Sequence, residues 1–96
     1  MIAVYVTFRY GSDFDEAKLH KVAASVSGKF VGMPGLRQKA FTVNAAKREA
    51  TNVYLWQSEE AARAFFNEAM LERVTGIYGV RPTIEFAAIA ELVDNH

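Results

Sequence analysis

The stretch that decides the fold is Asn52-Val53-Tyr54-Leu55-Trp56-Gln57-Ser58-Glu59-Glu60-Ala61-Ala62-Arg63-Ala64-Phe65-Phe66. Its first part alternates, sending Asn52, Tyr54 and Trp56 one way and Val53 and Leu55 the other, which is the period of a strand. Ser58 is a good cap for a following helix. Glu59 and Glu60 then fall in the first turn, where the helix dipole favours negative charge. Ala62, Phe65, Phe66 and Ala69 form the apolar stripe of that helix. The sole tryptophan is thus predicted at a strand end beside a helix start, a natural wall for a pocket.

Upstream, Ile2–Arg9 reads as a strand with Ile2, Val4, Val6 and Phe8 on one face and Ala3, Tyr5 and Thr7 on the other. Gly11-Ser12 breaks it. Asp13 followed by Glu16 fits a capping box. Leu19, Val22, Ala23, Val26 and Phe30 then recur at helical spacing, up to a stop at Gly32 and a turn at Met33-Pro34-Gly35. Leu36–Asn44 is a second strand, with Leu36, Gln38, Ala40, Thr42 and Asn44 opposite Arg37, Lys39, Phe41 and Val43. Ala45–Ala50 reads as a hairpin loop into the central stretch.

Downstream, the helical phase slips. Leu71, Val74 and Ile77 or Tyr78 lie on a rotated stripe, which predicts a bend or a second short helix near Met70, ending around Gly76–Gly79. Arg81-Pro82 opens a last strand expected to run from Thr83 to Val93. The order β-α-β-β-α-β predicts an α+β, ferredoxin-like arrangement: a four-stranded antiparallel sheet with its helices on one face. The other face would then carry a large apolar patch, and pairing two copies sheet to sheet removes it. A homodimer through the open sheet face is therefore expected.

Composition bounds the function. Ninety-six residues fit one domain, residues 1–96, burying ~65% of the unfolded surface. There are no cysteines, so no thiolate chemistry is available. Eleven basic and eleven acidic residues cancel, which argues against nucleic acid as a partner. No apolar run approaches the ~20 residues of a membrane span, and the first residues show no basic-then-apolar leader. A cytoplasmic protein with no membrane partner is expected. His20 is the only histidine before His96, too few for a histidine metal site.

Three blocks carry a family resemblance: Met33-Pro34-Gly35-Leu36-Arg37-Gln38-Lys39-Ala40-Phe41-Thr42, then Val53–Phe65, then Tyr78-Gly79-Val80. In order and spacing the chain resembles the dimeric α+β barrel superfamily, and within it small bacterial monooxygenases related to the antibiotic biosynthesis monooxygenases. The resemblance implies a substrate pocket between sheet and helices, with Trp56 on its wall. It also implies oxidation of a small phenolic or polyketide-like aromatic without flavin or metal, the deprotonated substrate itself reducing O₂. The protein then binds a flat ring, favours its anion and excludes water. Haem-degrading relatives place a histidine near the end of the helix after the tryptophan strand; Ala69 stands in that region here. Their first-strand asparagine is also missing, with Thr7 and Phe8 thereabouts. No cofactor and no metal are therefore expected.

The candidate catalytic residues are Trp56, whose indole can stack on a ligand and donate one hydrogen bond, Tyr78 beside Gly79, and His20. Thr7, Lys39, Asn52, Tyr54, Phe65 and Phe66 are the candidate substrate-binding residues. Each has a plainer alternative: a core tryptophan, a packed tyrosine, a histidine at a helix boundary, cations protecting a sheet edge. Glu59 and Glu60 are helix-start electrostatics, since neighbours on a helix point ~100° apart. A non-catalytic ligand binder on the same fold, or an isomerase of small lactones with His20 as base, are the competing functions.

Overall fold

Alternating apolar residues make β1 (Ile2–Arg9), whose Ile2, Val4, Val6 and Phe8 are all buried on one side. The computed structural model describes residues 1–95. In it β1 pairs antiparallel with β3 (Glu49–Trp56) on one flank and β4 (Thr83–Ala88) on the other, while β2 (Leu36–Asn44) pairs with β3. The sheet order is β2-β3-β1-β4, so the two apolar strands are central. Helix α1 (Glu16–Val26) and the pair α2 (Glu59–Phe65) and α3 (Glu68–Tyr78) supply Leu19, Ala62 and Tyr78 to the same core as the inner side chains of β1 and β3. This is the expected ferredoxin-like α+β architecture, with its second helix in two pieces.

Several boundaries differ from the expectation for local reasons. The cap of α1 is Asp15, whose side chain accepts from the Lys18 N–H at 3.1 Å; Asp13 closes a short 3₁₀ turn, Gly11–Asp13. The helix then tightens into a 3₁₀ turn at Ser27–Phe30, carrying Phe30 onto the core. In β2 the pairing slips, because Leu36 and Gln38 face the successive β3 residues Trp56 and Leu55. Arg37 is the extra residue of this bulge, so Leu36 turns to the helix side with Lys39, Phe41 and Val43. The β2–β3 connection is shorter than expected. Asn44 Oδ1 accepts from the Lys47 N–H, Arg48 takes a left-handed φ of 55°, and β3 has already begun at Glu49.

The helical break falls earlier than Met70. Ser58 caps α2 by accepting from the Ala61 N–H, Phe66 leaves helical geometry, and Asn67 caps α3 by accepting from the Met70 N–H at 2.9 Å. Gly79, at φ 85°, closes α3. β4 stops at Ala88, short of Val93, because its partner there is Ile2, the first residue of β1. One more bond, from the Ile89 N–H to the Met1 carbonyl, ends the pairing. The face away from the helices carries Ala3, Tyr5, Val53 and Leu55, and a groove runs there beside Ile89–Leu92. No helix among the described residues is long and apolar enough to cross a membrane.

Candidate active site

Alternation along β3 delivers Ala50, Asn52, Tyr54 and Trp56 to the helix side, and all four are buried. Above them α3 presents Met70, Val74, Ile77 and Tyr78. Between the two lies a cavity of about 110 Å³, bordered by Phe30 and Lys39 and flanked by Phe65. Lys29 and Arg73 stand exposed at its rim.

The polar centre of the cavity is a pair. Asn52 Nδ2 donates to the Tyr78 hydroxyl oxygen at 3.1 Å, and both residues are buried. Tyr78 is held at two further points. Its ring stacks on Phe8 with centroids 3.8 Å apart, and its backbone carbonyl accepts from the Tyr10 hydroxyl at 2.9 Å. Burial pushes the Tyr78 phenol up, and the Asn52 hydrogen bond draws it partly back. Burial likewise pushes the Tyr54 phenol up, aided by Tyr78, and lifts Tyr10 to about 12. At neutral pH these hydroxyls keep their protons, so Tyr78 retains one to donate.

Lys39 reaches the same space from the neighbouring strand. Its Nζ lies 3.3 Å from the Phe30 ring centroid, 4.2 Å from that of Phe41 and 4.3 Å from that of Tyr54. Burial among these rings draws the amine down to about 7. Among the described residues no group of histidine, aspartate and glutamate side chains converges to hold a metal ion.

Of the residues expected from sequence, Lys39, Asn52, Tyr54, Phe65 and Tyr78 come together on this cavity. Trp56 does not line it. The indole packs behind Tyr54, ring on ring at 6.2 Å, with Phe65 at 5.2 Å and Phe66 at 6.0 Å. Its Nε1 is buried with no hydrogen-bond partner among the described residues. Phe66 also stands behind the lining, edge-on to Tyr54 at 4.9 Å. Thr7 points to the opposite sheet face, where its hydroxyl lies 3.2 Å from that of Thr51, because it has the other parity on β1. His20 is exposed on α1, 3.4 Å from Glu16, and lines a small adjoining pocket that shares Asn52 and Tyr78 with the cavity. Trp56, Phe66 and Thr7 thus stand off the cavity surface, and His20 stands in the neighbouring pocket on the other side of the Asn52–Tyr78 pair. Sequence reasoning missed Met70 and Arg73, although Met70, Val74 and Ile77 are spaced as one helical stripe. It also missed Lys29 and Phe30, which only the 3₁₀ turn brings into place.

Residues 4–91 match the sequence model of the family described as "Putative mono-oxygenase ydhR". The chain belongs to the ydhR family. Among curated proteins, none matches by sequence. Solved structures share the fold of this ydhR-family chain closely. The monooxygenase from ActVA-Orf6 of Streptomyces coelicolor, solved with nanaomycin D, superposes with a TM-score of 0.70 at 19% identity, over 99% of this chain and 92% of that one. SnoaB of Streptomyces nogalater, a cofactor-independent oxygenase, gives 0.68 at 14% identity over 98% and 97%. A dimeric ferredoxin-like protein of unknown function from Thermobifida fusca gives 0.68 at 17% identity over 92% and 90%. At these identities the likeness is one of fold.

Proposed function

We propose that this ydhR-family chain is a monooxygenase for a small, flat phenolic substrate, oxidised in the cavity between β3 and α3 without a resident cofactor. The observation that carries the reading is the buried Asn52–Tyr78 pair facing an aromatic-walled space of about 110 Å³. A closed apolar cavity of about 150 Å³ holds benzene; this one, about 110 Å³ and open at the rim beside Lys29 and Arg73, suits one end ring of a fused substrate whose remainder lies toward the rim. Tyr54 and Phe65 offer faces for a planar ring, and the Tyr78 hydroxyl, oriented by Asn52, can donate to an oxygen on it.

The chemistry balances with substrate and O₂ alone. An activated CH₂ flanked by rings, as in an anthrone, becomes a carbonyl. Its carbon gives up four electrons; one oxygen atom enters the product and the other leaves as water. The protein stabilises the anion formed when the substrate loses its first proton and keeps bulk water from it. SnoaB, named a cofactor-independent oxygenase, and ActVA-Orf6, a monooxygenase solved with nanaomycin D, support this reading through the shared fold.

The active form in this proposal is a homodimer paired through the sheet face that carries Tyr5, Val53 and Leu55. Tyr5 is 40% exposed there, a large side chain that a second copy would cover. The dimeric fold neighbour supports the pairing.

Oxygen uptake with an anthrone-type phenol, by protein given no flavin or metal, is the expected result. Tyr78→Phe should lower it by ten-fold or more. Uptake that requires added flavin would overturn the cofactor-free form of the proposal. No uptake across a panel of phenols and hydroquinones would leave a ligand-binding protein, a reading favoured by the lack of any carboxylate among the lining residues. Light scattering at micromolar protein should give the mass of two chains.

A further inference from the structure

The cavity is electrically one-sided. Lys29, Lys39 and Arg73 border it and no aspartate or glutamate does, in a chain whose charges sum to zero. The ion pairs engage Arg9, His20, Arg63 and Arg81 elsewhere, and among the described residues none includes a cavity cation. Cations left together without counter-charges raise the local concentration of anions and disfavour neutral or basic ligands.

Lys39 differs from the other two. Lys29 and Arg73 are exposed to water, whereas Lys39 is half-buried with its Nζ against three aromatic faces, Phe30 the nearest at 3.3 Å. Ring faces replace only part of an ammonium's hydration, so the charged form sits at a cost that a nearby anion would remove. The side chain also occupies a boundary. Lys39 and Phe30 border both the inner cavity and an outer groove of about 380 Å³ along the edge strand β2, beside Leu36 and Gln38. Arg37, exposed to water, lines that groove as well, so Lys39 is the cation shared by the two spaces.

We propose that the cavity is selective for a phenolate, with Lys39 Nζ as the group that takes the phenol's proton and then pairs with its oxyanion, and with Lys29 and Arg73 attracting the anion at the rim. The inference rests on the reading of the cavity as a phenol site and assigns its charge partner. In the step, the phenol O–H bond breaks, its proton goes to the lone pair of the neutral amine, and an ammonium–phenolate pair remains; no oxidant is needed. Burial places the amine near 7, so both of its forms are populated at neutral pH. The charged and titratable groups lining the same space are Tyr54 from β3, Lys29 from the 3₁₀ turn, and Arg73 and Tyr78 from α3, with Arg37 of β2 in the adjoining groove. Neither phenol is ionised there, and no carboxylate competes for the proton.

The test uses 4-nitrophenol, whose phenolate absorbs visibly, and nitrobenzene, a neutral ring of similar shape. Wild-type protein should bind nitrophenol at pH 8 about ten-fold or more tightly than nitrobenzene, and bound nitrophenol should ionise about one pH unit lower than free. Lys39→Met should abolish both differences while still binding nitrobenzene, which shows that the cavity persists. Lys39→Arg, which keeps the charge, should retain the preference for nitrophenolate. Equal affinity of wild type for the two probes, an ionisation shift that survives Lys39→Met, or no nitrophenol binding at millimolar concentration would each overturn the proposal. None of these readouts involves oxygen. A phenolate preference without oxygen uptake upholds the charge partner and removes the oxygenase reading; uptake unchanged in Lys39→Met does the opposite.

Discussion

Asn52 on β3 and Tyr78, the last residue of α3, share a buried hydrogen bond of 3.1 Å in the cavity wall. It joins a strand to the end of a helix through two side chains that are 4% and 7% exposed. A buried polar pair of this kind is expensive to break from one side only.

A double-mutant cycle should show this. Asn52→Ala alone leaves the Tyr78 hydroxyl without its donor and should cost about 1–3 kcal/mol. Tyr78→Phe alone strands the amide. The double variant should lose less than the sum, with a coupling of about 1–2 kcal/mol by urea denaturation. Additive losses would mean that the bond does not stabilise the fold.

The stability of the protein should depend on pH through Lys39, with a definite sign. The amine titrates near 10.5 when free and near 7 when folded. Between these values the unfolded chain holds a proton that the folded chain lacks, so stability rises with pH across that window; below 7 the full penalty of burying the charge stands. Wild type should therefore gain on Lys39→Met between pH 6.5 and 9.5, by on the order of 1 kcal/mol once solvent screening at this half-buried site is allowed for. A difference that stays flat across that range would contradict the burial of the amine.

Gly35 should not tolerate a side chain. Its φ is +82°, and an added Cβ would stand 3.0 Å from the Ala61 Cβ and 3.7 Å from the Trp56 ring. Its carbonyl also accepts from the Gln57 N–H at 2.8 Å. Gly35→Ala should destabilise by about 1–3 kcal/mol, from left-handed strain and the close contact together. A thermal melt that matches wild type would show that the turn relaxes freely.

Trp56 should prove a packing residue. Trp56→Ala should cost about 3–5 kcal/mol. Trp56→Phe should cost less than about 2 kcal/mol, because losing ring contacts is offset by removing an unpartnered buried N–H. Oxygen uptake by Trp56→Phe should stay at the wild-type level, since the indole lies behind the lining. A selective loss of turnover with the fold intact would return Trp56 to the site.

Much of this was readable from residue order. The alternation of Asn52, Tyr54 and Trp56 on one face follows from period two alone, and Ser58 is an unambiguous helix start. Parity also places Thr7 with Ala3 and Tyr5, away from Ile2 and Val4, so the strand's own pattern turns it from the pocket. Other features belong to tertiary structure. The bulge at Arg37 is a slip of pairing against Trp56 and Leu55, invisible in β2 by itself. The end of β4 is set by where β1 begins. Trp56 and Tyr54 share a face, yet only Tyr54 meets the cavity, because Phe65 and Phe66 fold over the indole. The environment of Lys39 is assembled from three elements, so its titration could not be read from Arg37-Gln38-Lys39.

The joint at Phe66–Asn67 lets the second crossover change direction between two separately capped helices. Residues up to Phe66 belong to the aromatic block that anchors the sheet, while Asn67 restarts the chain with its own cap. One residue inserted at that joint would turn every α3 position by about 100°, taking Tyr78 off Phe8 and Asn52 and lifting Met70 from its buried seat. The roof of the ligand space and the fold are thus encoded in one helix, so the roof can vary side chain by side chain but not by register.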